Sequence, residues 1–253
     1  MTRRLKGCNP SHSGTLLRAM FVPPHLAALP PPPSEYDADG GCNEYRMFLN
    51  DTYGICVVAE FANTILGLTF ATRGTPTNIK DSDVKTNYFN QTRGRDIGLD
   101  LASALDYWNR YGLVDANGTL HKPGVYGGVD PQNIDEFNAA CYYCDGLDIA
   151  ISTPSSFMNS DDGDVVDWKG GNPGGIDHCV RISGRRKSDG CFKLITWGGI
   201  RWATERWIVA CTGEAWATPL IGDRLKPEGV TIEGFDIVEL RRQFAVFQGR
   251  AFD

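Results

Sequence analysis

Cys56 follows a tight turn at Gly54 and opens the first strongly periodic stretch of the chain. A helix N-terminus offers unpaired amides and partial positive charge, which lower a thiol's pKa and favour the nucleophilic thiolate. A neighbouring imidazole would hold that thiolate as an ion pair and later protonate a leaving group. The candidates for that imidazole are His12, His25, His121 and His178. His12 and His25 sit in a proline-rich segment, and His121 sits in a turn. His178 alone begins an alternating run directly after the glycine-rich loop 170–175, where backbone can hold a ring rigidly. The implied chemistry is attack on an amide or ester carbonyl by Cys56, with His178 carrying the proton. The competing reading of a cysteine at a helix start is an inert, buried thiol.

Periodicity outlines the elements that must position this pair. Cys56, Val57, Ala59, Phe61, Ala62, Ile65 and Leu66 recur at helical spacing, which predicts a helix ended by Gly67. A second helix is expected over 99–111, closed by Gly112, and a third over 133–144. Strands are expected at 147–151, 178–183 and 191–197, the last two joined by a turn across 184–190. Helices first and an antiparallel sheet later describe an α+β chain.

Residues 1–45 read as an arm, with Pro23-Pro24 and a run from Pro30 to Pro33 that favours extended polyproline structure. A flexible tail, a docking segment for a protein partner, the start of the domain and a propeptide across the cleft all suit it. The main domain is expected over 46–221. A C-terminal extension, 222–253, carries one short amphipathic helix at 235–247.

Composition narrows the class. The chain has 253 residues, 42% of them apolar, and a net charge of −6. It can bury a sizeable core, and it lacks the basic surface of a nucleic-acid or membrane-surface binder. No run approaches the ~18 apolar residues of a membrane span. Arg18 and Pro23-Pro24 interrupt the one apolar stretch near the start, so no signal peptide is expected. Eight cysteines are too dilute in this length for a disulfide scaffold and suit free thiols in a reducing compartment. Cys141-Tyr-Tyr-Cys144 has redox or half-zinc spacing but no second ligand pair, so core packing is expected and no metal or other cofactor. The acidic turn at Asp161-Asp162-Gly163-Asp164 lacks a downstream bidentate Glu and reads as solvated.

The segment Asn50-Asp-Thr-Tyr-Gly-Ile-Cys56 resembles the active-site helix start of papain-like cysteine peptidases. In that family a Gln six residues before the nucleophile donates to the oxyanion, and Asn50 stands at that spacing here. Asp177-His178-Cys179-Val180 resembles the family's Asp-His-Ala-Val segment, and Thr196-Trp197-Gly198 its Asn-Ser-Trp-Gly segment. The separation of Cys56 from His178 lies near the low side of the ~130–150 residues expected for papain and its relatives. Leu49 to Cys56, Glu214-Ala-Trp-Ala217 and Gly234 to Leu240 look closer to a bacterial and bacteriophage branch of papain-like proteins. The resemblance covers about residues 45–245.

It implies a two-lobed fold, with a helical lobe carrying the Cys and an antiparallel β lobe carrying the His. It also implies a thiol hydrolase with Cys56, His178 and Asn50 as machinery and Gly54, Asp177 and Trp197 along the substrate cleft. The substrate would be a peptide or protein. The family's His-orienting Asn falls at Ile195, which cannot accept a hydrogen bond, so Asp177 or a backbone carbonyl would have to orient the ring. That loss leaves a second expectation open: a catalytically degenerate papain-like protein serving as an assembly or adaptor component, for example of a bacteriophage virion. Location would then be cytoplasmic or virion-associated.

Overall fold

The computed structural model describes residues 4–11, 30–123 and 126–219. Two short strands, β1 (Cys8–Asn9) and β2 (Tyr36–Asp37), precede the helical half. Helix α1 (Cys56–Arg73) is buried over nearly its whole length. It runs past Gly67, the expected stop, to a left-handed C-cap at Gly74 whose φ is 73°. Gly67 serves packing instead: a Cβ there would lie 2.5 Å from the carboxyl carbon of Asp39. Helix α2 (Asp81–Thr92), for which the sequence carries no clear period, lays Val84, Tyr88 and Thr92 inward at i, i+4 and i+8. After β3 (Leu99–Asp100) comes α3 (Leu101–Tyr111), where the Asp100 carboxylate caps the Ser103 amide and Gly112 closes the helix as expected.

The sheet half begins with β4 (Leu113–Val114), β5 (Leu120–His121) and β6 (Gly127–Val129). Helix α4 (Ile134–Tyr143) is capped by Asn133 and leads into the buried strand β7 (Leu147–Ile151). A single-turn helix, α5 (Ser155–Met158), and β8 (Val165–Val166) follow. Strands β9 (His178–Arg185) and β10 (Phe192–Thr196) form the expected hairpin, with Gly184 and Arg185 inside the strand rather than the turn. The chain continues through β11 (Gly199–Ala203), α6 (Glu205–Cys211) and β12 (Thr212–Ala217).

The sheet order is β6-β12-β7-β9-β10-β11-β8, antiparallel except for the β11–β8 pair, with β2 added against β9. One apolar core lies in the sheet lobe around Phe137, Phe157, Phe192 and Trp207, and it absorbs Cys141 and Cys144. The other gathers α1, α2 and α3 against Ala150, Cys179 and Trp216 of the sheet. The fold is therefore the expected α+β arrangement of a helical lobe packed on an antiparallel β lobe. The amphipathic segment at 235–247, the closing motif at Gly234 to Leu240, and both His12 and His25 lie outside the described residues.

Candidate active site

Cys56 is the first residue of α1. No side chain caps that helix and its first turn carries no acidic residue, so nothing local neutralises the positive end of the helix dipole. The thiol is 2% exposed, and burial pushes its pKa up to about 12 against the opposing backbone amides of Cys179, Gly7 and Val57. Cys179 follows His178, the first residue of β9, so the start of α1 and the start of β9 meet at this sulfur.

The His178 ring is held on two sides. Its Nε2 lies 2.7 Å from the Thr196 hydroxyl, and Trp197 stacks on it with ring centroids 4.4 Å apart. In the tautomer whose Nε2–H donates to Thr196, Nδ1 carries the free lone pair and is the basic atom of the ring. Nδ1 is buried and has no hydrogen-bond partner among the described residues. Burial, then the nearby Lys6 and Arg201 cations, push the His178 pKa down to about 3.

Neither Asp177 nor a backbone carbonyl, the groups nominated from sequence, orients the ring: its Nε2 meets the Thr196 hydroxyl and its Nδ1 meets no described partner. The Asp177 carboxylate is taken by the Thr153 hydroxyl at 2.8 Å and the Lys6 ammonium at 2.7 Å. Ile195 is fully buried with Cys42 and Tyr45. Thr196 is the residue that sequence reasoning missed. Side chains alternate along a strand, so the position after Ile195 faces the opposite side of β10, and a hydroxyl there supplies the missing acceptor.

Residues 4–11 lie in the groove between the lobes. The Leu5 amide donates to the Asn50 carbonyl at 3.0 Å, and the Leu5 carbonyl accepts from Trp197 Nε1 at 3.2 Å. Gly7 and Cys8 both donate to the Asp177 carbonyl, and the Leu99 amide donates to the Gly7 carbonyl at 2.8 Å. Gly54 and Asp177 line this groove beside Lys6 and Gly7. Cys56, His178, Asn50, Gly54, Asp177 and Trp197 are thus gathered around one eight-residue segment. Asn50 is buried, and its side-chain amide donates within its own loop to the Tyr53 carbonyl at 3.3 Å.

These two lobes and their junction define the papain-like cysteine protease fold, shown by similarity to solved structures. Xylellain, a cysteine protease from Xylella fastidiosa, matches with a TM-score of 0.64 at 16% identity, over 87% of this chain and 99% of that one. Digestive procathepsin L2 from the larval midgut of Tenebrio molitor matches with a TM-score of 0.65 at 11% identity, over 86% of this chain and 78% of that one. The Carica candamarcensis cysteine protease CMS1MS2, solved with E-64, matches with a TM-score of 0.54 at 14% identity, over 74% and 98%. No protein-family model and no curated protein matches the sequence. Among the described residues no helix is long and apolar enough to cross a membrane, and no cluster of three potential metal ligands occurs.

Proposed function

We propose that the chain is a thiol hydrolase, a cysteine peptidase or related amidase, whose cleft is closed here by its own residues 4–11. In this reading the Cys56 sulfur attacks an acyl carbon while His178 Nδ1 takes the thiol proton and passes it to the leaving amine. Water then hydrolyses the thioester. The Cys56 backbone amide and the Asn50 side chain would donate to the developing oxyanion once Asn50 turns from the Tyr53 carbonyl. Thr196 fixes the ring. The observation that carries the reading is this last one: His178 is pinned between Thr196 and Trp197 where the uncapped start of α1 meets β9.

The test is hydrolysis of a fluorogenic peptide amide by the full chain carrying Gly7→Trp. A Cβ on residue 7 would lie 1.9 Å from the Gly54 carbonyl oxygen, so the segment cannot stay in the groove. Hydrolysis is expected in this variant, little in the unaltered chain, and none when Cys56→Ala is added. Within the released background, Thr196→Val is expected to lower kcat/KM roughly tenfold, and Thr196→Ser to retain most of it. An unchanged kcat/KM in Thr196→Val would remove Thr196 from the mechanism.

A second reading is a catalytically degenerate adaptor or assembly protein, as in a bacteriophage particle, with the N-terminal segment as its contact to protein partners. The occupied groove, the protonated Cys56 thiol and the aliphatic Ile195 favour it. It predicts that the Gly7→Trp chain exposes Cys56 to iodoacetamide yet hydrolyses neither amide nor ester. The bacteriophage resemblance and a cytoplasmic or virion location belong to the same reading. Neither reading calls for a nucleic-acid or membrane partner.

A further inference from the structure

The segment in the groove reveals what the groove can hold. Its backbone bonds, from Leu5, Gly7 and Cys8, would be made by any extended chain and carry no sequence information. The selective contacts come from side chains. The Arg4 guanidinium donates to the Met158 and Ser160 carbonyls at 2.6 and 2.8 Å, reaches the Asp161 carboxylate at 3.4 Å, and lies 5.2 Å from the Trp197 ring centroid. Two residues on, the Lys6 ammonium meets the Asp177 carboxylate at 2.7 Å.

The next position is constricted. A Cβ on residue 7 would strike the Gly54 carbonyl oxygen, and one on Gly98, at φ 73°, would lie 2.3 Å from the Gly7 carbonyl oxygen. The passage is therefore as narrow as bare backbone on both sides. Further along, Glu214, 4% exposed, takes the Ser11 amide and hydroxyl at 2.7 and 2.6 Å. At ~3.3 Å per extended residue the contacts from Arg4 to Ser11 span about 23 Å of groove. With the segment gone, Asp161 and Asp177 lose their cationic partners and Glu214 loses Ser11, while Asp96, held by the Gly54 amide and the Tyr88 hydroxyl, adds a further carboxylate to the wall. A cavity of about 500 Å³ already runs beside it, between Gly54, Asp96 and Gly98 on one lobe and Ile176 and Asp177 on the other.

We propose that this cleft selects cationic peptide segments: a guanidinium against Trp197 and the Ser160–Asp161 turn, a second cation at Asp177, then a glycine at the Gly54–Gly98 constriction. The proposal rests on the groove being the substrate cleft and adds the class of substrate. Residues 4–7 are then an internal copy of the preferred ligand, and their cations hold the segment down.

The experiment measures binding by fluorescence anisotropy and is independent of turnover. The probe is a fluorescein-labelled synthetic peptide of residues 2–11, compared with the same peptide carrying Glu in place of Arg4 and Lys6. The proteins are two full-length variants that displace the internal segment, Gly7→Trp and Arg4→Glu/Lys6→Glu, each also carrying Cys56→Ser. Both are expected to bind the basic peptide roughly tenfold more tightly than the acidic one, from two exposed ion pairs and a cation–π contact. Adding Asp177→Asn should narrow that ratio, and the unaltered chain should bind neither peptide.

Equal binding of the two peptides, or no binding, overturns the proposal. In parallel, the two displaced variants that keep Cys56 are probed with iodoacetamide. Failure of both to expose the thiol also overturns the proposal, since cations that do not retain the segment are no guide to what the groove takes. If the hydrolase reading alone fails, cation-selective binding persists without peptide cleavage by the Cys56-bearing chain.

Discussion

Below about pH 6.5 the backbone amides of Gly7 and Cys8 are expected to lose hydrogen-exchange protection by roughly tenfold per pH unit, after correction for intrinsic exchange. The reason is the state of His178. In the closed groove its pKa is pushed down to about 3, first by burial and then by Lys6 and Arg201. When residues 4–11 leave, water reaches the ring and Lys6 departs, so the pKa returns toward the ordinary value of ~6.5. Between those two values the open form binds a proton that the closed form does not. Each unit of acidification therefore favours opening by about 1.4 kcal/mol, down to the closed-state value.

Cys56 gives the opposite limb. Burial pushes its pKa up to about 12, whereas a solvated thiol ionises near ~8.5, so above that pH the open form releases a proton that the closed form keeps. Closure should thus be tightest in a window from about pH 6.5 to about pH 8.5. Ile149 and Val180, paired across β7 and β9, serve as core amides whose protection should stay high over the same range. A flat pH profile at Gly7 and Cys8, with those core amides protected, would show that His178 is not the linked group.

The sequence makes the two elements that carry this chemistry legible because both obey strong local rules. The start of α1 is marked by a turn glycine and a helical apolar period, and β9 by alternation after a glycine loop. The caps at Asp100 and Asn133 are equally local. What sequence reasoning misses depends on neighbours distant in the chain. Gly67 resembles a helix stop, but its bare Cα accommodates Asp39, and the helix continues because its next turn is also buried. Helix α2 is rich in Asp, Asn and Thr, so its single inward stripe gives little periodicity. Thr196 is one residue from the position where the family pattern directs attention, and only the pairing of β9 with β10 brings its hydroxyl to His178. Part of the hold on residues 4–11 is backbone hydrogen bonding from Leu5, Gly7 and Cys8, which leaves no mark on side-chain pattern.

Replacing Arg181 by Met is expected to cost about 3–5 kcal/mol at neutral pH, because it strands buried carboxylates without their cation. Arg181 is 1% exposed and donates to Asp39 at 3.1 Å, to Thr64 at 3.3 Å and to the Asp145 carbonyl. Thr64 in turn donates to Asp148 at 3.0 Å. Burial alone would raise the Asp39 pKa, but Arg181 and then Lys193 outweigh it and hold it below the usual range. Asp148 and Glu60 are already raised by burial, Glu60 strongly. Removing the guanidinium sends Asp39 upward and the other two further.

A carboxyl whose folded-state pKa exceeds its unfolded value stabilises only while protonated, so the deficit of the variant should grow as pH rises through the carboxylate range. It should shrink below about pH 4, and urea unfolding of variant and unaltered chain in parallel reads this difference. A pH-independent deficit would mean that Arg181 acts by packing alone. The pairing also bears on the site. Arg181 lies three residues beyond His178 along β9, while Glu60 and Thr64 lie one and two turns of α1 beyond Cys56. The same buried charges therefore fix α1 against β9, and losing them should loosen the junction that brings thiol and imidazole to one groove. Pairing Arg181→Met with Asp39→Leu should recover part of the stability, because the most strongly ionised stranded carboxylate then leaves with its cation.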